Sequence, residues 1–253
     1  NGLRSLGDTL RALQESAARH AGGHFDLLLD LQVYFKAGIL TALAPARVKL
    51  GFDRSRARDL NWLFTTHRIP PHPQGQDHIQ DQYFEFLRYL GVDPEPVDYG
   101  LTLTEEEREA QSRYMAGLGR RACSLVVASS DPRKNWNPDG YAELASHLLR
   151  KHDLQPLLVG GHSEAEEKLA QAIIRRARGK VVDARGGGLR RLLWLLEGSA
   201  LVISPDTGPL HMARAVGTPV VGLYGSTNPK RSGPYRLFTD LVVDGYARNP
   251  EEE

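Results

Sequence analysis

The sequence predicts an α/β protein built from two doubly wound domains. Two observations carry this. In the second half, short apolar runs alternate with amphipathic segments, the pattern of strand–helix units in a parallel sheet. And the stretch "VDPEPVDYG" (92–100), rich in Pro and acid, breaks the chain into two parts. A length of 253 residues is long for one domain and natural for two. The predicted domains are 1–98 and 99–253.

The first half opens with a helix over 5–20, where Leu6, Leu10, Leu13 and Ala17 share a face. "HFDLLLDLQ" (24–32) reads as a buried strand, "YFKAGILTALA" (34–44) as a helix and "RVKLGF" (47–52) as a short strand. "DHIQDQYFEFLRYLG" (77–91) is a helix stopped by Gly91. This half looks like the second with its opening strands missing, and the chain begins at Asn1 and ends on "NPEEE". It is expected to be an internal piece of a longer protein, with the first domain incomplete at its N-terminus.

The second half starts with a helix over 104–118, Thr104 as its N-cap and acids in its first turn. Strands are predicted at 124–129, 155–161, 180–184, 200–204 and 218–225. Helices fall between them at 137–152, 163–177, 189–198 and 208–217, the first capped by Asn137 with Pro138 behind it.

Composition narrows the function classes. Hydrophobic residues are 41%, charged residues 25%, and the net charge is +1, so no global field exists to hold nucleic acid or an anionic membrane. No apolar run reaches the ~18 residues of a membrane span, and no leader is visible. The single cysteine, Cys123, lies in the apolar run "CSLVVAS" and reads as a small buried hydrophobe, not a nucleophile. No G-x-G-x-x-G follows a strand, "RGGGLRR" is not a phosphate-binding P-loop, and no Asp-x-Asp or paired histidine spacing offers a metal site. No cofactor is expected.

The most informative stretch is "SPDTGPLHMARAVGTPVVGLYGSTNPKRSGPY" (204–235). It reads as strand, tight Asp-Thr-Gly turn, helix, strand and a Gly/Pro loop. Such a turn lies at the carboxyl end of a parallel strand, where open α/β sheets bind ligands. The helix start near Thr207, Gly208 and Leu210 offers backbone N–H groups to an anion, Gly208 lets a phosphate come close, and His211 lies one turn in. Two roles stay open from the residues alone: a diphosphate site, or Asp206 merely capping the helix while His211 packs.

The pattern D-T-G-x-x-H-x-A-x-A-x-G-x-P-x-x-x-x-x-G-x-T-x-P-x-x-x-G-P-Y in that stretch closely resembles the signature of glycosyltransferase family 9, the bacterial ADP-heptose:lipopolysaccharide heptosyltransferases. "SSDPRKNWNPDGYAEL" (129–144) resembles the family's loop whose Ser/Thr and Lys contact the donor phosphates, here Ser130 and Lys134. "FDLLLDLQVYFKAGILTALAPARVKLGFD" (25–53) resembles the family's D-L-Q-x-x-x-K-S segment, with Ala37 in place of Ser and Lys36 facing an anionic acceptor. An acid in "VGGHSEAEE" (159–167) would meet the donor's sugar hydroxyls; Glu164 is the first choice and Glu166 the second, with helix capping open for either. Lys230 and Arg231 stand as phosphate contacts or as solvated charges.

The resemblance implies a GT-B fold of two Rossmann-like domains. It implies inverting, metal-independent transfer of heptose from ADP-heptose to the lipopolysaccharide inner core, with donor residues Ser130, Lys134, Glu164, Asp206, Thr207, Gly208 and His211. Lys134 would also stabilise the leaving diphosphate. The enzyme would be cytoplasmic, with peripheral contact at the inner face of the plasma membrane. "SLGDTL" (5–10) imitates the family's catalytic Gly-Asp turn, but no strand precedes it to position the carboxylate. Asp8 is therefore expected to be an exposed helix residue, and the base to lie upstream of Asn1. Two rival readings remain: a GT-B enzyme acting on another nucleotide sugar, such as a 2-epimerase, and a nucleotide-sugar-binding module without catalysis.

Overall fold

The computed structural model describes residues 2–20, 22–71 and 78–246. The chain divides into two compact units, residues 1–95 and 96–253.

The first unit runs α1 (Gly2–His20), β1 (Phe25–Leu29), α2 (Phe35–Leu43), β2 (Ala46–Gly51), β3 (His67–Arg68) and α3 (Ile79–Tyr89). The strands form a parallel sheet in the order β1-β2-β3. Its core is Leu50, Phe52, Ile69 and Phe86, with Phe52 and Phe86 edge to face at 4.9 Å. α1 buries Ala17 and leaves Asp8 exposed, as its periodicity predicts. β1 departs from expectation. It was expected to be buried, yet Leu27 and Leu29 are more than a third exposed. The physical reason is its place at the edge of the sheet, where among the described residues it pairs with β2 alone. The 3-10 turn Asn61–Phe64 and the two-residue β3 carry too little periodicity to be read from sequence.

The second unit runs α4 (Glu105–Gly117), β4 (Arg121–Val126), α5 (Pro138–His152), β5 (Leu154–Val159), α6 (Glu164–Ala177), β6 (Val182–Asp183), α7 (Gly188–Glu197), β7 (Leu201–Pro205), α8 (Gly208–Ala215), β8 (Val220–Tyr224), α9 (Pro229–Ser232) and β9 (Val242–Asp244). Its caps follow from the sequence: Thr104 and Glu107 form a capping box on α4, and Asn137 accepts from the Gly140 N–H on α5. β4 starts three residues earlier than the apolar run suggests, because Arg121 and Ala122 pair with Leu154 and Gln155.

All six strands are parallel, in the order β6-β5-β4-β7-β8-β9. Successive strands step outward from β4 to β6, then the chain returns to the other side of β4 and steps outward again. With right-handed crossovers, that reversal puts α5 and α6 on one face and α7 and α8 on the other. The two cores agree: Tyr141, Leu148 and Ile173 cover one face, and Leu193, Leu196 and Leu210 the other. Between β4 and β7 the crossovers diverge, which opens a crevice at the carboxyl ends of these two strands.

Candidate functional site

The loop after β4 and the turn after β7 meet in that crevice. The first loop is folded on itself by short polar side chains. Asn135 Oδ1 accepts from the Ser129 N–H at 2.6 Å, and Ser129 Oγ accepts from the Asp131 N–H at 3.2 Å. Asp131 caps the 3-10 turn Pro132–Lys134, accepting from the Arg133 N–H at 3.1 Å. Trp136 packs edge-on to Tyr141 at 5.2 Å beneath the loop. This winding sends Lys134 across the crevice, where its Nζ donates to Asp206 Oδ2 at 2.9 Å. Ser130 stays exposed on the same loop.

Asp206 is the hub. Only 6% of it is exposed, and two loops and α8 reach it. Ser232 Oγ donates to its Oδ2 at 3.2 Å, Thr227 hydrogen-bonds to it, and His211 Nε2 lies 3.8 Å from its Oδ1. Burial pushes the carboxyl pKa up. Hydrogen bonds from His211, Lys134 and Thr227, with the Lys134 charge, outweigh burial and hold it well below the usual carboxylate range. Asp206 is therefore ionised across the physiological range.

That arrangement decides one of the two roles left open. Asp206 does not cap α8. The N-cap is Thr207, in extended backbone with φ −156° and ψ 169°, and no side chain caps the helix. The helix start thus faces the crevice with its dipole uncompensated by a side chain. Gly208 sits at the first helical position with no atom within 4 Å of where a Cβ would stand, and its φ is not positive. Neither backbone nor neighbours demand glycine there; open space in front of the helix does not forbid a side chain, but an approaching ligand would.

The signature's second half supports α8 from behind. Buried Arg214 donates from Nε to the Tyr235 carbonyl and lies over the Tyr99 ring at 5.0 Å. Tyr224 OH donates to the Ser232 carbonyl at 2.8 Å, which fixes the residue that bonds Asp206. Gly233 leaves 2.5 Å between a virtual Cβ and the Pro229 carbonyl oxygen, so a side chain there would force the loop open. Lys230 and Arg231 lie exposed on α9.

The other expected residues are not among the partners of Asp206. Glu164 is exposed in the first turn of α6, paired with Lys168 at 2.6 Å. Glu166 is the capping residue instead: it accepts from the Gly161 and Ser163 N–H groups at 2.6 and 3.0 Å. Lys36 is exposed in the first turn of α2, in the other unit. Sequence reading missed Thr227 and Ser232 as partners of Asp206. Their signal was the small polar residues inside the Gly/Pro loop. Among the described residues, no group of three or more His, Cys, Asp or Glu could hold a metal.

Comparison with known proteins agrees with the sequence signature. The family model of glycosyltransferase family 9 (heptosyltransferase) matches residues 16–251. The chain is 32% identical over 232 residues to the lipopolysaccharide core heptosyltransferase OpsX of Haemophilus influenzae, covering 90% of this chain and 65% of that protein. It is 25% identical over 231 residues to lipopolysaccharide heptosyltransferase 3 of Escherichia coli, covering 89% of this chain and again 65% of the relative. The chain thus spans a little under two thirds of the length of these relatives. Among solved structures, a family 9 glycosyltransferase of Veillonella parvula aligns with TM-score 0.72 at 23% identity, over 96% of this chain and 67% of that one. The E. coli heptosyltransferase WaaC, solved with ADP, aligns with TM-score 0.68 at 24% identity, over 96% of this chain and 72% of that one. Both show the α/β fold of GT-B type expected from the sequence.

Proposed function

Because the chain belongs to glycosyltransferase family 9, we propose that it forms the donor-binding part, and a portion of the acceptor-binding part, of an ADP-heptose:lipopolysaccharide heptosyltransferase. The observation that carries this is the Lys134–Asp206 pair at 2.9 Å, set across the crevice between β4 and β7 in front of the α8 N-terminus. A cation and a helix start that converge on one open space suit a nucleoside diphosphate.

In this reading Lys134, Ser130, Thr207, Gly208 and His211 hold the diphosphate. Asp206 does not touch it, since two anions in contact repel; it aims Lys134 and His211. The transfer is one inverting displacement without metal. An acceptor hydroxyl forms a bond to the anomeric carbon as the bond from that carbon to the diphosphate oxygen breaks, and ADP leaves with the bonding electrons. Lys134 and the α8 N–H groups stabilise the charge that grows on the leaving group, the point at which such donors lower the barrier most. Glu164 takes the sugar hydroxyls and Lys36 faces the anionic acceptor, an inner-core lipopolysaccharide sugar. The hydroxyl proton passes to a general base that this reading assigns to no residue of the chain; Asp8, exposed on α1, is not given that role.

Calorimetric titration of ADP-heptose, ADP and UDP into the chain tests the proposal. The adenine compounds should bind more tightly than UDP, with ADP-heptose at least as tight as ADP. A preference for UDP would replace the reading with an enzyme of another nucleotide sugar.

A further inference from the structure

The end of α5 carries two side chains for which the donor reading has no use. His147 and His152 are both exposed, yet their rings meet. The two Nε2 atoms lie 3.2 Å apart and the ring centroids 5.0 Å apart, with the planes tilted by 54°. A separation of five residues does not put two side chains on one face of a helix, so their spacing alone does not reveal the pair. The helix stops at His152: Asp153 turns into the left-handed region with φ 52°, and its N–H closes on the Leu148 carbonyl. His152 is thereby left at the free end of α5, where its ring reaches back to His147.

The geometry is that of two ligands on one ion. Imidazole nitrogens bound to a single ion at about 2.0–2.1 Å, with a near-tetrahedral angle between them, stand about 3.3 Å apart. With both rings aimed at the ion, their centroids are about 5.2 Å apart. A straight ring-to-ring hydrogen bond at the observed nitrogen separation would hold the centroids about 5.5 Å apart. The observed 5.0 Å is shorter than the straight bond gives. It matches two rings bent toward a shared point.

The surroundings set the kind of ion. A helix C-terminus presents partial negative charge, which favours a cation. Among the described residues, no third His, Cys, Asp or Glu joins the pair. Asp153, the next residue, is held by Arg120 at 2.6 Å, and Arg150 and Lys151 share the last turn of α5. Hard ions such as Mg2+ and Ca2+ need several oxygen ligands, which this end of the helix does not supply. Imidazole nitrogens suit zinc, nickel and copper(II).

We propose that His147 and His152 form a binding site for one late first-row divalent metal ion, with water at its remaining positions. Because the strands are parallel, this end of α5 lies at the amino edge of the sheet, opposite the crevice. A helix of 15 residues puts it about 20 Å from the loop of Lys134. The ion therefore takes no part in the transfer chemistry. It clips the end of α5 and stabilises the second unit, because the ligand pair exists only in the folded chain. The proposal does not depend on the donor site.

The experiment is calorimetric titration of ZnCl2 into the untagged, chelator-stripped chain, with thermal unfolding in parallel. One ion per chain should bind. Saturating Zn2+ should raise the Tm by at least about 3 °C, and the same concentration of Mg2+ should not. His147→Gln and His152→Gln should each weaken Zn2+ binding at least tenfold and abolish the rise in Tm, while ADP affinity measured without zinc is unchanged. His67→Gln, on β3 of the first unit, should bind Zn2+ as the parent does. Parental zinc affinity in either variant of the pair, an equal loss in His67→Gln, an equal rise in Tm with Mg2+, or no zinc binding at all would each overturn the proposal. So would a lower metal-free Tm in both variants with no effect of Zn2+ on the parent, which would reduce the pair to a hydrogen bond between two rings.

Discussion

Asp30 and Asp206 invite comparison. Each follows a parallel strand at its carboxyl end, and they are almost equally buried, 5% and 6% exposed. Their partners differ in kind. Asp30 accepts from the Thr41 hydroxyl at 2.8 Å, the Asn61 amide at 3.1 Å and the Gln32 N–H at 3.1 Å. Those donors belong to α2, a 3-10 turn and the adjoining backbone, so this carboxylate staples the unit together. Asp206 is bonded by Lys134 and Ser232 from the tips of two loops, with a half-exposed histidine at its other oxygen. Burial alone does not separate a structural acid from one at a site. What separates them is whether the partners are themselves committed to the core or can turn to a ligand.

The comparison breaks if the two acids respond alike to mutation. Asp30→Ala strands two buried side-chain donors and should cost about 3 kcal/mol of stability, read by denaturant unfolding, while the folded fraction binds ADP as before. Lys134→Ala should shift the balance. It removes a charged contact to the diphosphate worth about 1.5–3 kcal/mol, so ADP affinity should fall roughly 10- to 100-fold, alongside a loss of stability from the broken Asp206 pair that is smaller than that of Asp30→Ala. Loss of stability without loss of affinity in this variant would make Lys134 a structural residue like Thr41.

Acid sharpens the contrast. The native-state pKa of Asp206 is depressed, so its pairing adds stability at pH values above the ordinary carboxylate pKa, about 4. That contribution is lost as pH falls from there toward the lower native value. Asp206→Asn should therefore flatten the stability curve below pH ~4 and leave its shape near neutrality unchanged. Unfolding midpoints measured from pH 2 to 7 check this; parallel curves would mean that the pairing adds nothing.

The two glutamates of α6 give the smallest effects. Glu166→Ala removes the reciprocal half of a capping box and should cost about 1 kcal/mol. Glu164→Ala should stay within about 0.5 kcal/mol, since its partner Lys168 is a solvated i,i+4 neighbour. If Glu164 meets the donor sugar, this variant weakens ADP-heptose and spares ADP in parallel titrations. Equal affinities for both ligands would remove Glu164 from the site.

Much of this was legible in the sequence because local and global signals coincided. The alternation of apolar runs and capped helices predicts the parallel sheet of the second unit, and "PDTGPLHMARA" places a turn and helix start at a strand end. What sequence could not supply was the meeting of distant loops. Lys134 and Asp206, 72 positions apart in sequence, come within 2.9 Å because β4 and β7 are neighbours, a fact of strand order that no periodicity encodes. The same holds for Ser232 and Thr227, whose hydroxyls look like ordinary loop polarity until the Asp206 carboxylate is beside them. In the first unit, edge exposure of β1 and the left-handed turn at Leu60 arise from tertiary context, so an apolar run there reads as more buried than it is.

The central claim is that the open space before α8 belongs to a diphosphate, and Gly208→Ala tests it most directly. No atom lies within 4 Å of the new methyl group and the backbone φ is ordinary, so the fold should accept alanine with stability unchanged or raised by about 0.5–1 kcal/mol. ADP titrated by calorimetry should then bind at least tenfold more weakly, because the methyl group stands where phosphate must approach. Parental ADP affinity in a fully folded Gly208→Ala chain would contradict the account and move the diphosphate away from the α8 N-terminus.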